Sequence, residues 1–116
     1  MVDKGKRIPK RTQLIYYSEV LDQKSKALAG RLIDISTSGI KLISEEEVEL
    51  DRVFAFQVKL PYEIKGRTVL LFKAKSVWCK KDINPEYYAV GFEIEQIDIG
   101  NEKIIVELML EYGFIK

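Results

Sequence analysis

From position 53 to 60 apolar and polar residues alternate, setting Phe54, Phe56, Val58 and Leu60 on one side of an extended chain. A period of two belongs to a β-strand with one buried face and does not hold as a helix. The same signature recurs along the chain. Residues 13–21 are rich in strand formers (Ile15, Tyr16, Tyr17, Val20), and residues 27–36 set Ile33 and Ile35 against Asp34 and Ser36. Residues 40–43 form a short third run after the tight turn Thr37-Ser38-Gly39, where Gly39 is free to take a positive φ. Residues 67–80 make one long, bent run with Leu70, Phe72, Ala74 and Trp78 on the core side. In residues 87–96, Tyr88, Val90, Phe92 and Ile94 point inward. Gly91, on the opposite face of that run, predicts close approach by another group.

The separators are turn chemistry. Polar residues 22–26 form a hairpin loop, Pro61 ends the fourth run, Lys65-Gly66 marks a turn, and residues 82–85 form a further loop. The stretch 44–51, with Glu45, Glu46, Glu47 and Glu49, matches no calcium-loop spacing and is read as a solvated acidic loop. Only the last element changes period. Ile104, Ile105, Leu108, Met109 and Tyr112 follow helical spacing, with Asp98 as N-cap and Gly113 at C′, so a helix is predicted over about 98–113. Lys103, Glu107 and Glu111 form its wet stripe, while Val106 and Leu110 lie outside the main seam. Six strands at hairpin spacing and one helix predict an all-β, six-stranded antiparallel β-barrel with a C-terminal α-helix capping one end.

At 116 residues and 47% apolar content the chain suffices for one such domain without staples. Lone Cys79 suits a reducing compartment and a half-buried structural role. No apolar run approaches a membrane span and no signal-peptide pattern follows Met1, which predicts a cytoplasmic protein without membrane insertion. The net charge of +1 conceals an asymmetry. Residues 1–11 hold Lys4, Lys6, Arg7, Lys10 and Arg11 against Asp3, a net +4, leaving −3 for the remainder. Residues 1–12 carry no periodic apolar pattern and read as a flexible basic arm, ahead of a barrel domain over 13–116. A basic arm on a mildly acidic body suits an anionic partner.

Catalysis lacks its usual parts. The chain has no histidine, Cys79 has no base to activate it, and neither zinc-ligand spacing nor a P-loop is present. The reading is therefore a binding protein, not an enzyme, with no metal, no catalytic residue and no cofactor. Asp34 and Ser36, two apart on an extended chain, set a carboxylate and a hydroxyl beside turn N–H groups at one strand end. That arrangement binds a small polar ligand if positive charge arrives from elsewhere.

Arg7-x-x-x-Arg11, then Asp34-x-Ser36-x-x-Gly39 beginning 23 positions later, resembles the PilZ domain, and Tyr88-Ala89-Val90-Gly91-Phe92 is similar to that family's last-strand pattern. The resemblance implies a receptor for cyclic di-GMP, a bacterial second messenger, which serves as ligand. It implies that Arg7 and Arg11 bind guanine and phosphate while Asp34, Ser36 and Gly39 complete the pocket. It also ties Lys6, just before the first arginine, to whether one ligand or an intercalated pair binds. The chemistry agrees. A guanidinium forks onto O6 and N7 of guanine and pairs bidentately with phosphate. The arm is expected to close over the ligand and alter contacts with a downstream protein; the wide helix face offers a surface for that target or for a second copy in a homodimer. Two rivals stand beside this reading. One is a small barrel binding single-stranded nucleic acid through the arm and tyrosines such as Tyr17 and Tyr87. The other is a ligand-independent adaptor acting by protein contact. Retention of both motifs speaks against the adaptor.

Overall fold

A computed structural model describes residues 18–112, with Tyr112 described by its backbone alone. Six antiparallel strands close into a barrel: β1 (Glu19–Asp22), β2 (Leu28–Ile35), β3 (Gly39–Ser44), β4 (Val53–Ile64), β5 (Arg67–Lys81) and β6 (Tyr88–Gln96), arranged β1-β2-β3-β6-β5-β4. A helix, α1 (Ile99–Tyr112), follows. The predicted architecture is the observed one. The basic arm, its Lys6, Arg7 and Arg11, Tyr17 and Gly113 all lie outside the described residues.

Alternation builds the interior. Phe56, Val58 and Leu60 are buried and Phe54 packs at the edge of the same core. Phe56 lies stacked on Phe54 (centroids 5.5 Å apart) and meets Phe92 edge-to-face at 5.0 Å. These are the offset and T-shaped geometries that aromatic quadrupoles favour. From α1, Ile104, Ile105 and Leu108 join this core, fully buried, and close one end of the barrel. Lys103, Glu107 and Glu111 are exposed as expected, and so are Val106 and Leu110.

Asp98 caps α1. Its Oδ1 accepts from the Asn101 backbone N–H at 2.7 Å, and its carbonyl accepts from Glu102 N–H at 3.0 Å. Asn101 is buried and reaches further: its Oδ1 accepts from the Leu71 N–H of β5 at 3.2 Å, while its Nδ2 donates to Asp98 at 3.1 Å. One amide thus ties the helix start to the sheet.

Three expectations need correction. Pro61 does not end β4, which runs on to Ile64. The ladder to β5 jumps from Lys59↔Val69 to Ile64↔Arg67, and the irregularity between them accommodates a residue without an N–H. The hairpin then closes through Lys65 (φ 51°) and Gly66 (φ 79°), a two-residue turn of the hand that matches strand twist. In β2, Ile33 does not share a face with Ile35. Leu32 pairs with Leu42 and Asp34 with Lys41, so Ile33 is the extra residue of a bulge, and Leu32 and Ile35 are the buried pair. In β5, Trp78 does not join the core. The ladder runs Ser76↔Phe92 and then Trp78↔Gly91, so Val77 is bulged and Trp78 turns to the outer face. Ser76 takes the inward position instead, fully buried, its hydroxyl donating to the Glu49 carbonyl at 2.7 Å.

Replacing Asn101 by alanine orphans the Leu71 N–H beside a buried site, and a loss of about 1–3 kcal/mol is expected. Urea denaturation should show a lower midpoint at unchanged slope; an unchanged midpoint would mean that the tether carries nothing. The N–H bond from Asn101, joined by the Arg67 guanidinium 3.6 Å away, holds the Asp98 carboxyl below its ordinary pKa. With the folded pKa depressed, the stabilisation is present above the unfolded-state value and fades as pH falls through the folded one. Asp98→Asn keeps a capping oxygen without the charge, so its melting temperature should fall less than the parent's between about pH 5 and pH 2. Parallel acid limbs would contradict this.

Candidate functional site

The strand-end motif sits in the β2–β3 turn. Ile35 pairs with Ile40, and the Ser36 N–H donates to the Gly39 carbonyl at 2.9 Å, which leaves Thr37 and Ser38 as a two-residue turn. Ser36 Oγ closes it, accepting from the N–H groups of Ser38 at 3.2 Å and Gly39 at 3.3 Å, and sharing a hydrogen bond with Ser38 Oγ at 3.0 Å. Two turn N–H groups expected to face a ligand are therefore already occupied. Ser38, exposed at the tip, is the hydroxyl with room to turn outward, and nothing in the spacing of the motif distinguishes it from Thr37.

Gly39 has no positive φ. Its need for glycine is proximity: a β-carbon there would fall 2.3 Å from the carbonyl oxygen of Phe92 on β6. The motif's glycine thus lets β3 lie tight against β6 where the turn leaves the sheet. The expectation of a positive φ is overturned: contact between β3 and β6 is what demands glycine here.

Asp34, half-buried, accepts from the neighbouring Ile35 N–H at 2.9 Å. Register places it opposite Lys41, Lys41 opposite Gly91, and Gly91 opposite Trp78. Residues directly opposite in a ladder share a face. Four strands therefore carry the row Asp34, Lys41, Gly91, Trp78 across the outside of the barrel. The expected close neighbour of Gly91 is the Trp78 indole, whose Nε1 would lie 2.2 Å from an added β-carbon.

Asp34, Ser36, Ser38, Gly39, Lys41 and Trp78 line one cavity of about 220 Å³. Sequence reasoning found three of these six. Trp78 was hidden because its outward aim depends on the bulge at Val77, and Lys41, though it follows the plain alternation of β3, lies past the end of the motif. A larger cavity, about 370 Å³, lies between β1, β4 and β5. Its lining sets two carboxylates, Glu19 and Glu63, against one cation, Lys59, beside Gln57, Tyr62 and Thr68, so its net charge is negative where an anion needs a positive one. Chemistry favours the smaller one. Among the described residues no group of three or more His, Cys, Asp and Glu stands where it could hold a metal ion, and no helix is long and apolar enough to cross a membrane.

The two glycines make a paired prediction. Gly39→Ala must push backbone aside, and a loss of about 1–3 kcal/mol is expected. Gly91→Ala meets only a side chain that can swing away, so its stability should fall less while the emission of Trp78, the chain's one tryptophan, shifts to the red. Equal stability losses with unshifted emission would contradict the geometry.

Among solved structures, the chain is similar to the Bacillus subtilis inhibitor of motility MotI/DgrA, with a TM-score of 0.66 at 16% identity over 80% of this chain. It spans only 44% of that protein's length. It is also similar to the PilZ domain of Escherichia coli YcgR, solved with c-di-GMP, with a TM-score of 0.56 at 15% identity over 84% of this chain and 81% of the other. At such identities the likeness is one of fold. Comparison with curated proteins returns no match. The family model of the PilZ domain matches residues 6–111, from just before the first arginine almost to the end of α1, and the chain therefore belongs to the PilZ domain family.

Proposed function

We propose that this chain is a cyclic di-GMP receptor whose basic arm, residues 1–12, folds over a ligand seated at the β2–β3 turn. The observation that carries the reading is the cavity lined by Asp34, Ser36, Ser38, Gly39 and Lys41, on the outer wall of a domain of this family. The YcgR domain, similar in fold, was solved with this same ligand, which supports the assignment.

Size and charge both require the arm. A pocket that engulfs a small ligand measures about 300–1,000 Å³. The 220 Å³ here holds part of a cyclic dinucleotide and leaves the rest exposed. Asp34 and Lys41 cancel one another, so the lining brings no net positive charge to meet two phosphates. Arg7 and Arg11 supply it, forking onto guanine O6 and N7 or onto a phosphate, with Lys6 adding a third cation. Asp34 accepts from a guanine amino group or orients one of the arginines. Ser36 holds the turn in shape, and Ser38 offers a hydroxyl to a phosphate oxygen. Gly39 keeps the wall low. Arm closure over the dinucleotide converts messenger concentration into a new protein surface, which a downstream partner reads. The reaction is binding alone, and the messenger leaves unchanged.

The test is calorimetric titration with cyclic di-GMP beside GTP and a single-stranded oligonucleotide. The dinucleotide should bind selectively, and Arg7→Ala or Arg11→Ala should each weaken it by about 1.5–3 kcal/mol, roughly 10- to 150-fold. Undiminished affinity in both variants would refute the role of the arm. Preferential, steeply salt-dependent binding of the oligonucleotide would refute the ligand.

A further inference from the structure

The cavity of about 370 Å³ between β1, β4 and β5 has an apolar floor and a polar rim. Leu60 is buried and Leu21 and Val69 are half-buried, while Glu19, Lys59 and Glu63 are exposed around them. The ladder from β1 to β4 covers Phe56–Val58 of β4. The cavity runs on past it to Tyr62 and Glu63. Pro61 gives this stretch of β4 no N–H, so a packed side chain, not a longer ladder, is what can cover it.

Leu21 and Glu19 reach the lining from β1, with Val20 fully buried between them. The same alternation, continued by two positions, brings Tyr17 to that face. The carbonyl of Ser18 accepts from the Leu32 N–H at 2.9 Å, so the backbone direction is held up to the residue next to Tyr17. We propose that this cavity is the berth of Tyr17, and that the tyrosine fastens the root of the basic arm to the barrel wall. The residue type suits the place: the ring meets the apolar floor, and the hydroxyl reaches a rim whose carboxylates accept a hydrogen bond. Charge agrees as well. Residues 1–17 carry a net +4, and the lining sets two carboxylates against one ammonium. Anchorage there leaves the arm its reach, since the six positions from Tyr17 back to Arg11 span about 20 Å of extended chain. The inference stands apart from the identity of the ligand and is tested without one.

Nuclear Overhauser contacts of the Tyr17 ring are measured on the unmodified, labelled chain. Contacts to the methyl groups of Leu21, Leu60 and Val69 are expected. Tyr17→Phe should keep them. Tyr17→Ser should move the amide resonances of Lys59 and Val69 and lower the urea midpoint. A Tyr17 ring without contacts to these methyl groups, or a Tyr17→Ser protein whose wall amides stay at the parent positions, would overturn the assignment. So would contacts that arise between chains when labelled and unlabelled protein are mixed, since a second copy would then fill the cavity. Should Tyr17→Ser fold poorly, the ring contacts of the parent still decide.

Discussion

Closing six strands around a single small core centred on phenylalanine rings demands strong coiling of the sheet. Phe56 touches Phe54, Phe72 and Phe92 at once, which fixes how tightly the wall must bend. Small closed barrels meet that demand with tilt and with bulges, each of which adds a residue to one strand and re-aims the side chains after it. Two bulges matter most here. The extra residue at Ile33 turns Asp34 outward opposite Lys41, and the extra residue at Val77 turns Trp78 outward opposite Gly91. Both slips act on the same outer row. Barrel closure and site assembly are in this sense one event.

That constraint also explains what could be seen in the chain beforehand. Alternation in residues 53–60 and 87–96 marks the inward faces correctly because those stretches keep a constant phase. The change to helical spacing and the capping Asp98 announce α1 within a residue or so. Phase is lost where a bulge intervenes. Nothing local in Leu32-Ile33-Asp34 or in Ser76-Val77-Trp78 says that a residue will be skipped, since the bulge answers curvature imposed by strands far along the chain. Trp78 therefore looks like core until the register is known. Gly39 shows the same limit: a glycine after Thr-Ser suggests a positive φ, and only the position of Phe92 reveals that proximity is the reason.

The candidate site divides along the same line. Asp34, Ser36 and Gly39 were legible as a motif, and the structure brings them together around one cavity. Their individual work differs from a simple reading of the motif: Ser36 spends its lone pairs on the turn, and Ser38 is the hydroxyl left to face outward. Lys6, Arg7 and Arg11 lie outside the described residues, so their part rests on chemistry. A lining whose charges cancel needs cations from elsewhere, and the chain gathers five basic residues into its first eleven positions.

Amide chemical-shift mapping of the labelled chain during addition of cyclic di-GMP tests the location of binding most directly. The account predicts saturable shifts at Ser36, Ser38, Gly39, Lys41 and Gly91, together with new, slowly exchanging arm resonances. Shifts gathered instead around Leu21, Gln57 and Val69, on the β1–β4–β5 wall, would contradict it.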